Sequence, residues 1–286
     1  MKHAIEITGL TKDYGSFKLD RVSFAVPGGS IMGLIGENGA GKSTVIKCIL
    51  GLIRHDEGRI RLLESDVPGG DRAVREQLGV VLDESTFHDA LRAVDVGTIL
   101  AKLYKSWDSA LFSRYLHQFD LPRNKTVKEF SRGMKMKLSI AAALSHRPRL
   151  LVLDEATSGL DPVVRSEILD EFLSFIQDEE HAVLVSSHIT SDLEKVADYV
   201  TYLHRGKVTL TGERDALLQH HGRLSCTKAD LAAVDPEYLV STRSSQFSCE
   251  ALVRNKREFC TRYSHLTVDP VTLEDLMVFT AKGERP

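Results

Sequence analysis

Between Gly36 and Ser43 the chain reads Gly-Glu-Asn-Gly-Ala-Gly-Lys-Ser, which satisfies GxxxxGK[ST] at every fixed position. Its flanks suit it. The apolar run Ile31–Ile35 (IMGLI) precedes it as a strand buried on both faces, and the helical run TVIKCILGLI follows. A strand, a glycine-rich turn and a helix in this order leave little freedom of fold. The loop must fold back so that backbone N–H groups converge at the helix N-terminus, where the dipole also favours an anion. Lys42 then neutralises the β- and γ-phosphates of a nucleotide, and the Ser43 hydroxyl is placed to ligate Mg²⁺. A glycine-rich turn with an exposed lysine would not need this strand or this helix.

The rest of the chain alternates short β-rich runs with longer helical patterns, which predicts an α/β fold around a largely parallel sheet. Ile5–Ile7 and Phe17–Val26 alternate apolar with polar residues, as half-exposed strands do. Leu78–Leu82, Leu150–Leu153 and Ala182–Val185 are continuous apolar runs of the buried kind. Asp89–His146 reads as a helical insertion, and Tyr199–Thr211 as a hairpin turning at Arg205-Gly206. After Gly212 the pattern weakens into a small appended domain, closed by a helix that Thr272 caps. A net charge of -3 argues against a broad basic surface for nucleic acid, and basic and acidic residues also balance in the tail. No apolar run approaches the ~20 residues that span a bilayer. The N-terminus lacks a signal peptide's apolar core. The four cysteines have neither zinc-site spacing nor the density of a disulfide scaffold, so free thiols are expected.

Two further stretches carry chemistry. Leu150–Leu153 runs straight into Asp154-Glu155, two carboxylates at the carboxyl end of a central strand, where open parallel sheets bind ligands. Asp154 would hold Mg²⁺ through water, and Glu155 would polarise the attacking water. Phe130-Ser131-Arg132-Gly133-Met134 opens the helical stretch Lys135–Ser145. Ser131 suits the N-cap, and the amides there offer a second anion site; capping alone also explains the serine.

In this order the motifs resemble those of the ATP-binding cassette (ABC) ATPases, and the resemblance covers roughly residues 2–212. It implies a P-loop NTPase core with a parallel sheet, an N-terminal antiparallel β-subdomain, and a helical subdomain at about 84–146. Residues 213–286 remain as a small C-terminal domain of unknown role. The resemblance assigns Tyr14 to the adenine stack, and Gly36, Asn38, Gly39, Ala40, Gly41, Lys42, Ser43 and Thr44 to the Walker A loop. Ser131 and Gly133 fall in the signature that contacts ATP held by the opposite subunit, Asp154 and Glu155 in Walker B with its catalytic carboxylate, Asp161 in the D-loop, and His188 at the switch that senses γ-phosphate.

Three positions depart from the commonest pattern. Asp83 stands where the Q-loop has glutamine, FSRGM replaces LSGGQ, and Ala156 replaces a proline. The first two look like those of bacterial ABC-2 type exporter ATPases of the drug and antimicrobial-peptide resistance group, the YtrB-like branch. A carboxylate at 83 is attracted to Mg²⁺ and repelled by the γ-phosphate, so Asp83 is expected beside the metal, with Ser43 and Asp154.

The resemblance implies ATP hydrolysis with Mg²⁺. One Walker A loop and one signature imply pairing with a second cassette, a homodimer first among the options. Without a membrane segment, a transporter role implies a separate transmembrane permease, no nucleic-acid partner, and a cytoplasmic place on the inner membrane face. The surface around Asp83, Glu84, Phe87 and residues 89–105 is the expected docking groove. A soluble ABC ATPase acting on nucleic acid, on ribosomes or in signalling is the alternative. The stretch between Asp83 and Ser131 is too short for a long coiled coil, and no second cassette or basic linker is present.

Overall fold

The computed structural model describes residues 3–67, 72–82, 87–244 and 249–283. The chain begins with β1 (His3–Asp13) and β2 (Lys18–Pro27), then enters β3 (Ile31–Ile35) and α1 (Lys42–Ile49). It returns through β4 (Glu57–Leu62), β5 (Ser65–Val67) and the short α2 (Arg72–Arg75) to β6 (Leu78–Val81). Helices α3 (Ala93–Leu103), α4 (Ser109–Gln118) and α5 (Arg132–Leu144) separate β6 from β7 (Leu150–Asp154). Then come α6 (Pro162–Phe175), β8 (Ala182–Ser187), α7 (Thr190–Val196), and the hairpin β9 (Tyr199–His204) and β10 (Lys207–Glu213). The tail holds α8 (Arg214–His220), β11 (Gly222–Cys226), α9 (Lys228–Ala233), β12 (Leu239–Ser244), β13 (Cys249–Val253), α10 (Lys256–Arg262), β14 (Val268–Asp269) and α11 (Leu273–Lys282).

The strands make an N-terminal antiparallel sheet ordered β2-β1-β4-β5, a central sheet ordered β10-β9-β3-β8-β7-β6, and a tail sheet ordered β12-β13-β11-β14. In the central sheet β6, β7, β8, β3 and β9 are parallel, and only the edge strand β10 runs against its neighbour.

The apolar runs are continuous because the central sheet is covered on both sides. Ile31, Ile35, Leu151, Leu153, Val183 and Val185 face one core, which they share with the helical insertion and α6. Their strand neighbours Met32, Leu34, Leu150, Val152, Ala182 and Leu184 face the other, under α1 and the N-terminal sheet. Strand parity alone decides the side.

Three strands end together at the carboxyl edge. The register sets Asp154 beside Ser186 and Ile35 beside Ser187, so their last polar groups converge where the phosphate loop begins. The hairpin turns at Arg205-Gly206, as expected, with His204 paired to Lys207. Its tip grips the loop, since Gly206 N–H donates to Ala40 O (3.0 Å) and Gly206 O accepts from Asp20 N–H (2.9 Å).

The tail departs from the expectation of an appended unit in one respect. It has its own small core around Leu224, Tyr238, Ala251 and Phe259, but its last helix leaves that core. Leu273, Leu276 and Phe279 of α11 lie in the main core with Leu193, Val196 and Tyr202. The helix start is fixed by a capping box, in which Thr272 Oγ1 accepts from Asp275 N–H (3.0 Å) and Asp275 Oδ2 accepts from Thr272 N–H (3.0 Å). Thr272→Ala removes half of this exchange and should lower unfolding free energy by about 1 kcal/mol. A urea midpoint unchanged by the substitution would show that the start of α11 contributes nothing to the cooperative fold.

Candidate active site

The loop from Gly36 to Gly41 joins β3 to α1, and its glycines are needed sterically. A Cβ on Gly36 would lie 2.4 Å from the carbonyl oxygen of Leu203, and Gly41 holds φ +108° at the N-cap of α1. Within this turn Lys42, only 5% exposed, folds back over its own loop. Its Nζ donates to Gly36 O at 2.7 Å and to Glu37 O at 3.3 Å, and lies 3.1 Å from Glu155 Oε1. Asn38 and Gly39 are exposed on the outer side of the loop, Ala40 is buried, and Ser43 and Thr44 are half-buried in the first turn of α1. No acidic residue occupies that turn, so the helix's positive end is not already neutralised from within.

Asp154 is buried at the end of β7, and its Oδ1 accepts a 2.6 Å bond from the Ser186 hydroxyl. Ser186 Oγ in turn accepts from Glu155 N–H at 3.1 Å, and Ser186 O accepts from the same N–H at 3.2 Å. These bonds hold Glu155 in a left-handed conformation, φ +53°, which costs an L-residue roughly 1–2 kcal/mol. The turn aims the carboxylate back across the sheet edge. Glu155 Oε1 meets Lys42, and Oε2 meets His188 Nδ1 at 2.7 Å. The structure therefore brings together Lys42, Asp154, Glu155 and His188, all four singled out in the sequence.

The other residues are distributed as follows. Ser131 caps α5, its Oγ accepting from Met134 N–H at 3.2 Å. Asp161 caps α6, its Oδ1 accepting from Val163 and Val164 N–H, with Pro162 in the first helical turn. The two helix starts adjoin, since a Cβ on Gly133 would touch Val164 at 3.5 Å. The Arg132 guanidinium lies over Gly159, where a Cβ would meet its Nη1 at 2.7 Å. Met134 packs on the main core, so the hydrophobic residue at that position has a structural use. Tyr14 stands half-exposed at the β1–β2 turn with the Lys12 ammonium 5.5 Å from its ring centre. Asp83 and Glu84 lie outside the described residues.

Several participants were not singled out in the sequence. Ser186 links Asp154 to Glu155, bonding the carboxylate of the first and the backbone N–H of the second, and its signal was the alignment of AVLVSS with LLVLDE at their carboxyl ends. Phe17, Lys18, Arg205 and Lys207 line a cleft of about 400 Å³ that reaches Gly39; Tyr14 is not part of that lining. His204 Nδ1 lies 3.0 Å from Glu37 Oε1 at the loop's back.

A second concavity, about 370 Å³, opens between the end of α1, β6 and the helical insertion. Leu52, Val80, Phe87, Leu100 and Tyr104 line it, and Leu52 is 59% exposed. At its floor His146 stacks on Tyr104, ring centres 4.1 Å apart, and bonds to Leu78 O through Nε2 at 3.0 Å. Burial lowers its pKa and keeps the imidazole neutral. The groove includes Phe87 and opens beside the 89–105 stretch, the described part of the expected surface.

Residues 19–158 match the family described as ABC transporter. The bacitracin transport ATP-binding protein BcrA of Enterococcus faecalis is 35% identical over 210 residues, 72% of this chain and 68% of that one. The lantibiotic transport ATP-binding protein SrtF of Streptococcus pyogenes is 34% identical, over 74% of this chain and 91% of its own. The chain belongs to the ABC transporter ATP-binding family. The Nod factor export ATP-binding protein I of Sinorhizobium fredii is 31% identical over 83% of this chain. A solved ATP-binding subunit of an ABC transporter superposes with a TM-score of 0.67 at 28% identity, covering 76% of this chain and 92% of that one. This ABC subunit is an ATP hydrolase, and the P-loop fold expected from its motifs is the fold observed. Among the described residues no helix is long and apolar enough to cross a membrane.

Ser186 joins the two acids of this ABC site without itself reacting. Ser186→Ala removes the bond to Asp154 and one of the two bonds that hold Glu155. Loss of such an outer partner costs about 10–100-fold. ATPase turnover of the purified variant should fall by that amount while nucleotide binding by fluorescence titration persists. Wild-type turnover would remove Ser186 from the site.

Proposed function

We propose that this chain powers an ABC-2 type exporter through a separate permease, with Glu155 as the residue that positions the attacking water. The carrying observation is the bridge from Lys42 through Glu155 to His188. An incoming triphosphate competes with Glu155 for the Lys42 ammonium, because both are anions and the lysine is nearly buried. A carboxylate displaced from Lys42 stays tethered near His188, at the place where a water must be oriented for γ-phosphate cleavage. Tyr14, with Phe17 in the neighbouring cleft, supplies the aromatic surface for the adenine.

The oxygen donors of Ser43 and Asp154 suit Mg²⁺, a hard cation that prefers oxygen and keeps part of its water. Among the described residues no group of three or more His, Cys, Asp or Glu side chains forms a metal site of their own. A Mg²⁺ at Ser43 and Asp154 would be shared with the nucleotide phosphates. Asp83 is proposed as its outer partner. Bound there, Mg²⁺ would neutralise charge developing on the phosphates.

Ser131, Gly133 and Asp161 lie at the adjoining starts of α5 and α6, a surface suited to the nucleotide of a second cassette, and a homodimer is the simplest pairing. The apolar groove floored by His146 suits a short helix of the permease, which would hold the chain on the inner face of the membrane. The names of the bacitracin, lantibiotic and Nod factor relatives support an export role. We take residues 1–212 as the nucleotide-binding domain and 213–286 as an appended domain braced against it.

Glu155→Gln keeps the shape and removes the charge, so hydrolysis should drop by about 10²-fold or more while ATP binding survives. Full turnover by Glu155→Gln protein would end this assignment. Site sharing has its own test: inactive Lys42→Ala chains mixed with inactive Ser131→Arg chains should regain ATPase activity, because each heterodimer contains one intact site. Subunit exchange without recovered activity would refute sharing.

A further inference from the structure

Two thiols face one another across the tail sheet. β11 and β13 run antiparallel in a register that sets Leu224 opposite Ala251 and Cys226 opposite Cys249. Directly opposed residues of an antiparallel pair have α-carbons about 4.5–5.5 Å apart and side chains on the same face. Burial follows that parity. Leu224, Ala251 and Val253 fill the tail's core, Cys226 packs at its border, and Cys249 is 1% exposed. Ser225, the neighbour of Cys226, points outward. Both sulfurs therefore leave the sheet on its inner face.

A disulfide requires α-carbons about 4.4–6.8 Å apart, a range that includes the spacing of directly opposed residues such as this pair. Burial, and then the facing Cys249, push the Cys226 thiol up, an influence that Cys249 exerts only at short range. The remaining cysteines are placed differently. Cys48 is buried on α1 beneath the N-terminal sheet, its thiol pushed up to about 11 by burial. Cys260 is half-buried on α10.

We propose that Cys226 and Cys249 form a dithiol site that low-molecular-weight disulfides oxidise to a cross-strand disulfide. Cys226, the more exposed of the two, loses its proton to solvent and attacks one sulfur of oxidised glutathione. The glutathione S–S bond breaks, one glutathione leaves as the thiol, and Cys226 carries the mixed disulfide. The Cys249 thiolate then attacks the Cys226 sulfur and expels the second glutathione. One glutathione disulfide gains two electrons, the two cysteines lose them, and their two protons end on the two glutathione thiols. The new bond pins β11 to β13 and closes the loop that carries α9 and β12.

The test equilibrates the full chain in glutathione buffers of increasing oxidised fraction, quenches with acid, and alkylates the thiols that remain. Peptide mapping without reductant should find Cys226 joined to Cys249, in a species about 2 Da lighter than the reduced chain before alkylation. Cys260 should at most acquire a glutathione adduct. In Cys249→Ser the second step has no attacking thiol, so Cys226 should stop at the mixed disulfide. Glutathione retained on Cys226 in the wild type, a bond from Cys226 to Cys260, or free thiols at both Cys226 and Cys249 across the whole range would overturn the proposal. Should Cys249→Ser fail to fold, the wild-type peptide map decides alone.

Discussion

A lysine ammonium held almost out of water governs the carboxyl edge of this sheet. Burying a charge costs several kcal/mol unless it is paired and hydrogen-bonded. Lys42 meets that demand with two carbonyls of its own loop, Gly36 O and Glu37 O, and with the Glu155 carboxylate. The first two fix the path of the loop. The third ties the loop to the neighbouring strand ends, since Glu155 reaches Lys42 only because Ser186 holds its backbone in a left-handed turn. On the proposed function, a phosphate that took the place of Glu155 on Lys42 would free the carboxylate for water, so the interaction that stabilises the site would also prepare it to react.

The parts of this arrangement that depend on local pattern were legible in the sequence. The phosphate loop announced itself by spacing and flanks. The buried strands did so by unbroken apolar runs, and Ser131 and Thr272 by capping chemistry. What stayed hidden depends on which residues the topology sets side by side. Ser186 is an ordinary strand serine until β7 and β8 are placed in register. Arg132 reads only as a replacement within the FSRGM stretch, and only the packing of α5 against the turn before α6 shows it covering Gly159. Strands β4 and β5 were not recognised because Glu57–Val67 is half polar, as a strand pair at the edge of an exposed sheet is. The tail sheet was invisible for a related reason: its strands are short and its core is small, so alternation never ran long enough to declare a period.

The position of α11 shows the cost of reading a weak tail as a separate body. The sequence predicted the helix and its cap correctly, yet its partners are not in the tail alone. Leu273 N–H donates to Glu194 Oε1 at 2.6 Å, and Leu273 O accepts from the buried Tyr202 hydroxyl at 3.4 Å. Burial raises the Tyr202 pKa, so the phenol remains a neutral donor. Arg214 Nη1, at the start of the tail, donates to Glu194 O at 2.8 Å from the other side.

Glu194 belongs to α7, the helix that starts two residues after His188. Its other face supplies Leu193 and Val196 to the main core, where α11 covers them with Leu276 and Phe279. A side chain that donates one hydrogen bond to Glu155 and stands 39% exposed has little packing of its own to fix it, so its position must be inherited from the segment that follows. That segment is short, and isolated helices of this length are not stable in water; α7 is held by what lies against it. The residues that lie against it include α11, more than sixty positions beyond the stretch that carries the family motifs. The geometry of His188 therefore depends on packing far from it in sequence, which is why no local reading of His188 could have supplied it.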